Sequence, residues 1–194
     1  MSSFIQPIET RYKGYRFRSR LEARWAVFFD SLGITWEYEP EGFETPHGRY
    51  LPDFRIRLAD KTAWFEVKPD NFNEDDPRWG ALVAGTQTNL VVARGIKPLC
   101  GDFIDGEEIV EFIWGGIDPD DESSTGVYWD NARMFCICTK CGGVGLEFTG
   151  QSERIRCCEG NRATDDQTRT NGHDRIQRAY DVALGARFEH GERP

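Results

Sequence analysis

Between residues 19 and 33 the apolar positions recur every three or four residues, at Leu21, Trp25, Phe28 and Leu32. That spacing predicts a helix with one buried face, capped by Ser19 and stopped by Gly33. The period then drops to two. Ile34, Trp36 and Tyr38 alternate with polar residues and predict a strand, and Pro46–Gly48 predicts a turn. In DFRIRL, Phe54, Ile56 and Leu58 share one face while Asp53, Arg55 and Arg57 share the other. After a short turn at ADK, the segment TAWFEVK sets Ala63, Phe65 and Val67 against Trp64, Glu66 and Lys68. PRWGALVAGTQTN predicts a helix weakened by Gly80 and Gly85. LVVARGI and EEIVEFIW read as further strands. HDRIQRAYDVALGARFEH closes the chain as a helix with Ile176, Tyr180, Ala183 and Phe188 facing inward.

Helix, antiparallel meander, helix and strand in that order predict an α/β sandwich, a mixed β-sheet flanked by helices. The run GGIDPDDESSTG, residues 115–126, is rich in Gly, Asp and Ser and predicts a linker over 116–126. It separates a core at residues 1–115 from a cysteine-rich segment with a terminal helix at residues 127–194. No internal repeat is visible.

Composition supports a packed core: 39% of residues are hydrophobic, with six Trp and thirteen Phe among them. No apolar run has the length of a membrane span, and the basic N-terminus lacks the apolar stretch of a secretion signal, so a soluble cytoplasmic protein is expected. The net charge of −9 argues against a nucleic-acid partner. Its distribution weakens that objection. Arg11, Lys13, Arg16, Arg18, Arg20 and Arg24 face a single acid, Glu22, within residues 11–24, whereas Gly101–Asp130 holds no Lys or Arg. With a Debye length of about 8 Å at physiological salt, distant acids hardly cancel a local basic patch.

Alternation places Glu66 and Lys68 on one strand face, and the short turn brings Asp53 alongside. Two carboxylates within reach of one Mg²⁺, with a lysine beside them to orient water or balance phosphate charge, suit phosphodiester hydrolysis. Glu22 on the first helix can add a carboxylate. Equally, Ser19-x-x-Glu22 fits a capping box that only ties down the helix end.

The set FRSRLEARWAVFFDSLGITWEYEP, RYLPDFRIRL and AWFEVKP resembles the PD-(D/E)XK nuclease superfamily over roughly residues 15–100. It is closest in style to TnsA-like transposon endonucleases and small phage-encoded nucleases. The resemblance implies a restriction-endonuclease-like core in which Glu22, Asp53 and Glu66 bind Mg²⁺ or Mn²⁺. Val67 would lend its carbonyl to the metal and Lys68 would act on the attacking water. It also implies DNA as substrate, with Arg16, Arg18 and Arg20 as nucleic-acid contacts and Gln87 as a weaker auxiliary. A protein partner and a homodimer stay open. Two rival readings do as well: a non-catalytic adaptor that keeps the fold, and a DNA mimic built on Gly101–Asp130.

Five of six cysteines fall between Cys136 and Cys158, and Cys100 stands alone. Without a secretion signal such a cluster reads as a metal site rather than as disulfides. Cys138-Thr-Lys-Cys141 before two glycines has the shape of a zinc knuckle, and a zinc-ribbon-like appendage is expected. Cys157 and Cys158 would complete a structural Zn²⁺ site, with Cys136 or His173 as alternative ligands. Ordinary buried cysteines are the competing reading. His47 and His190 are assigned no role.

Overall fold

The computed structural model describes residues 8–71, 76–96, 110–115, 127–130, 133–138, 140–148, 157–158 and 174–188. It begins with a hairpin, β1 (Thr10–Tyr12) and β2 (Tyr15–Phe17), where the sequence suggested only a basic arm. Lys13 and Gly14 both have positive φ, 48° and 81°, as the two-residue turn that matches strand twist requires. Helix α1 (Arg20–Leu32) follows. Ser19 caps it by accepting from the Glu22 N–H, and Gly33 ends it at φ 73° with its N–H returned to Asp30 and Phe29 carbonyls.

The chain continues through β3 (Thr35–Tyr38), the hairpin β4 (Phe43–Thr45) and β5 (Gly48–Tyr50), then β6 (Phe54–Arg57) and β7 (Thr62–Lys68). Helix α2 (Pro77–Thr86) crosses to β8 (Leu90–Arg94). Next come β9 (Val110–Gly115) and β10 (Val127–Asp130), a hairpin of β11 (Arg133–Ile137) and β12 (Val144–Phe148), and helix α3 (Asp174–Gly185). One six-stranded sheet has the order β10-β9-β8-β7-β6-β3. Within it β7 and β8 run parallel, joined by α2, and the other neighbours are antiparallel. The expected mixed α/β architecture is present.

The two faces of the sheet are covered differently. On one, Phe54, Ile56, Ala63, Phe65 and Val67 meet Trp25, Phe28 and Phe29 of α1, together with Ile176, Ala179, Tyr180 and Ala183 of α3. Burying each such aromatic contributes about 1.5–3 kcal/mol. On the other face, Trp64, Leu90 and Val92 meet Trp79, Leu82 and Val83 of α2 and Tyr50 of β5.

The sequence places a linker at residues 116–126. β10 lies beyond it and extends the main sheet, while Phe135, Ile137, Val144 and Leu146 join the same hydrophobic cluster as α1. A two-stranded hairpin cannot bury its own apolar face, so it uses the one that α1 and α3 provide. The linker itself lies outside the described residues. Among the described residues no helix is long and apolar enough to cross a membrane.

Candidate functional site

β6 and β7 pair with Phe54 opposite Phe65 and Arg57 opposite Thr62. One step further along this register, Asp53 faces Glu66, and the ladder gives way to side chains. The Asp53 N–H donates to Glu66 Oε2 at 3.3 Å, and the Val67 N–H donates to Asp53 Oδ2 at 2.8 Å. Both carboxylates are 4% exposed. Lys68 Nζ donates to Glu66 Oε1 at 2.6 Å and lies 5.8 Å from the centre of the Trp79 ring. This cluster sits at the carboxyl ends of the parallel strands β7 and β8, where open α/β sheets place their ligands.

Two tyrosines that the sequence did not single out hold the acids in place. Tyr50 donates to Glu66 Oε2 at 2.6 Å, and Tyr38 donates to Glu22 Oε2 at 2.6 Å. Burial, followed by the neighbouring carboxylate, pushes both phenols up, so they remain donors. Glu22 is buried, and its oxygens are also taken by Ser19 Oγ at 2.7 Å and the Arg18 N–H at 3.1 Å. The capping role is therefore realised. Glu22 still belongs to the charge cluster: burial, then Glu66, then Glu22 raise the Asp53 carboxyl well above its ordinary range.

Arg18 is the cleft's second cation. Its Nη2 donates to Asp53 Oδ1 at 2.7 Å, and its Nε lies 2.8 Å from Glu39 Oε1. Arg16 pairs instead with Glu9 on the exposed hairpin, and Arg20 is the first residue of α1. Gln87 is not brought to the cleft. It caps the far end of α2, where its Nε2 donates to the Ala84 carbonyl at 2.8 Å. His47 is exposed in the β4–β5 turn. Cys100, His173, His190 and most of Gly101–Asp130 lie outside the described residues.

The cysteines converge elsewhere. Sulfurs of Cys138, Cys141, Cys157 and Cys158 all lie within 4.8 Å of one another, with Cys138–Cys158 at 3.9 Å and Cys141–Cys157 at 3.3 Å. Tetrahedral ligation at about 2.3 Å sets sulfurs about 3.8 Å apart, so the four can hold a metal ion such as zinc. Among the described residues no other group of three or more His, Cys, Asp or Glu side chains converges in this way, so Glu22, Asp53 and Glu66 do not form a three-ligand set. Adjacent Cys157 and Cys158 both reach the cluster because the chain bends at Cys158. Cys136 is buried beside them but is not one of the four.

The knuckle is closed by Gly142 N–H to Cys138 O and Cys138 N–H to Gly143 O, each 2.8 Å. Burial raises the Cys138 thiol, but N–H donors from Cys141 and Lys140 outweigh it and carry the thiol down to about 7. Burial and the neighbouring sulfurs push Cys157 the other way. Gly143 packs on Ala59, whose N–H donates to Val144 O at 2.8 Å. The knuckle thus docks on the β6–β7 turn, roughly 20 Å of chain from Asp53 at about 3.3 Å per residue.

No known protein family matches the chain, and neither a curated protein nor a solved structure proved similar to it.

Proposed function

We propose that this protein is a metal-dependent nuclease of the PD-(D/E)XK type, with a restriction-endonuclease-like core, that hydrolyses DNA phosphodiester bonds. The observation that carries the reading is the register-matched pair Asp53 and Glu66, with Lys68 on Glu66, at the carboxyl ends of the parallel strands. The donor set fits a hard divalent cation: two buried carboxylates are what Mg²⁺ commonly takes from a protein, and burial, followed by Glu66 and Glu22, raises the Asp53 carboxyl. Asp53 and Glu66, with the Val67 carbonyl, would hold Mg²⁺ or Mn²⁺. When bound, that ion supplies polarisation of the scissile phosphate and acidification of a water.

The remaining work falls to the chain itself. Lys68 would donate toward the attacking water, with its ammonium held by Glu66. Tyr50 fixes Glu66 in turn. Arg16, Arg18 and Arg20 would meet phosphates along the strand. The acidic excess does not oppose them: residues 1–96 hold thirteen Lys and Arg against fourteen Asp and Glu, leaving most of it in the remainder. Cys138, Cys141, Cys157 and Cys158 would hold a structural Zn²⁺.

The test is a panel of linear, nicked, branched and single-stranded DNA incubated with Mg²⁺ or Mn²⁺. Cleavage is expected with wild type and its loss with Asp53→Ala and Lys68→Ala. Cleavage of no substrate, or undiminished cleavage by both variants, overturns the reading. One observation favours a second reading, a non-catalytic adaptor: Arg18 and Lys68 already neutralise the two cleft acids. DNA binding without cutting would select it.

A further inference from the structure

Asp53 has two oxygens in different circumstances. Oδ2 is held by the Val67 main chain, whereas Oδ1 is held by a side chain, the guanidinium of Arg18. The Asp53 side chain is 6% exposed and that of Arg18 is 57% exposed. The anion is fixed in the protein, and the cation that satisfies it stands at the surface. Arg18 is tethered elsewhere by its main chain, which donates to Glu22 and to the Tyr38 hydroxyl, and by Glu39, which has positive φ. The guanidinium can therefore leave Asp53 while the backbone of residue 18 stays in place.

A divalent cation reaching Asp53 through Oδ1 competes with the Arg18 Nη2 for that oxygen and is repelled by the guanidinium charge. A guanidinium has a second suitable partner, because its planar fork matches a phosphate as well as a carboxylate. We infer that Arg18 is an exchangeable counter-ion of the cleft, holding Asp53 Oδ1 until a phosphodiester takes the guanidinium, so that divalent cation and DNA bind cooperatively. This rests on the nuclease reading and adds a positioning residue to it. By linkage, DNA tightens the cation to the same degree that the cation tightens DNA.

The experiment measures Mn²⁺ binding from the electron paramagnetic resonance signal of the free ion, with and without a short phosphorothioate DNA duplex. Wild type is expected to bind Mn²⁺ on the order of tenfold more tightly with the duplex, the weight of one charge-assisted hydrogen bond. Arg18→Ala should bind Mn²⁺ that tightly without DNA and gain nothing further from it. Its fold should survive, because the main-chain bonds of residue 18 do not involve the side chain. Glu39→Gln, which loosens the same guanidinium from its other anchor, should shift Mn²⁺ binding in the same direction by less. Asp53→Asn supplies the background. Unchanged Mn²⁺ affinity in Arg18→Ala and Glu39→Gln, with binding still lost in Asp53→Asn, overturns the counter-ion role and leaves the nuclease reading standing. Absence of any Asp53-dependent Mn²⁺ binding overturns both.

Discussion

The carboxylate cleft and the cysteine knuckle sit at opposite ends of the β6–β7 hairpin and solve the same problem in opposite ways. Each gathers several anionic or potentially anionic groups in a small space. The cleft carries its own counter-charges, since Arg18 pairs with Asp53 and Lys68 with Glu66, while a tyrosine and main-chain donors take the other carboxylate oxygens. At the knuckle the sulfurs are one another's near neighbours, and main-chain N–H groups at Cys138 stabilise a single thiolate. A site with internal cations can keep its shape without a metal and exchange partners. A site of four converging thiols that can hold a metal ion depends on that ion, once bound, to fix its shape.

The contrast breaks most sharply by removing knuckle ligands. Cys138→Ser, or chelation of the wild type, is expected to lower the thermal midpoint by about 10 °C or more, because β11 and β12 contribute Phe135, Ile137, Val144 and Leu146 to the main core. Calorimetry alongside metal analysis by mass spectrometry checks this. An unchanged midpoint with metal lost would make the knuckle's ion dispensable.

Gly143→Ala probes the docking of the knuckle without removing a ligand. Its Cβ would stand 2.7 Å from the Ala59 Cβ and 3.3 Å from Cys141 Sγ, so the chain must shift, at a cost of about 1–3 kcal/mol by denaturant unfolding. At the other end, Glu66→Gln should change metal-free stability by under about 1 kcal/mol, because Tyr50 can still donate to the amide oxygen and the Lys68 ammonium can move away. A loss as large as that of Cys138→Ser would mean that the cleft is structural too.

The smallest effect expected is a pH slope. Asp53 has its folded pKa raised, so the stability it contributes is present below its unfolded value of about 3.9 and is lost as pH rises through the folded value. The metal-free midpoint should therefore fall from mildly acidic toward neutral pH. Asp53→Asn should lack that component, and saturating Mg²⁺ should flatten it. A wild-type slope identical to that of Asp53→Asn would mean that folding does not raise the Asp53 carboxyl.

Much of the cleft was legible because its placement is local. Period two puts Glu66 and Lys68 on one face, and a short turn sets Asp53 across from Glu66. Helix α1 was readable from Trp25, Phe28 and Leu32 between Ser19 and Gly33. Strands β1 and β2 were not, since three residues are too few to show a period and only Lys13–Gly14 marks the turn. Tyr38 and Tyr50 were missed because their hydroxyls meet acids sixteen residues away on other elements. The knuckle's Cys138-x-x-Cys141 was readable. Its attachment to the α1 face was not, because apolar alternation shows that a strand has a buried face without naming the surface that buries it.

The bond from the Ala59 N–H to the Val144 carbonyl has a consequence for how the chain comes together. It joins residues about 85 positions apart, and closing so long a loop costs entropy before any contact rewards it. On a ribosome, Asp53 and Glu66 emerge well before the segment that clamps their hairpin's far end. The cleft side of the hairpin can therefore pair before the knuckle arrives at a turn already formed.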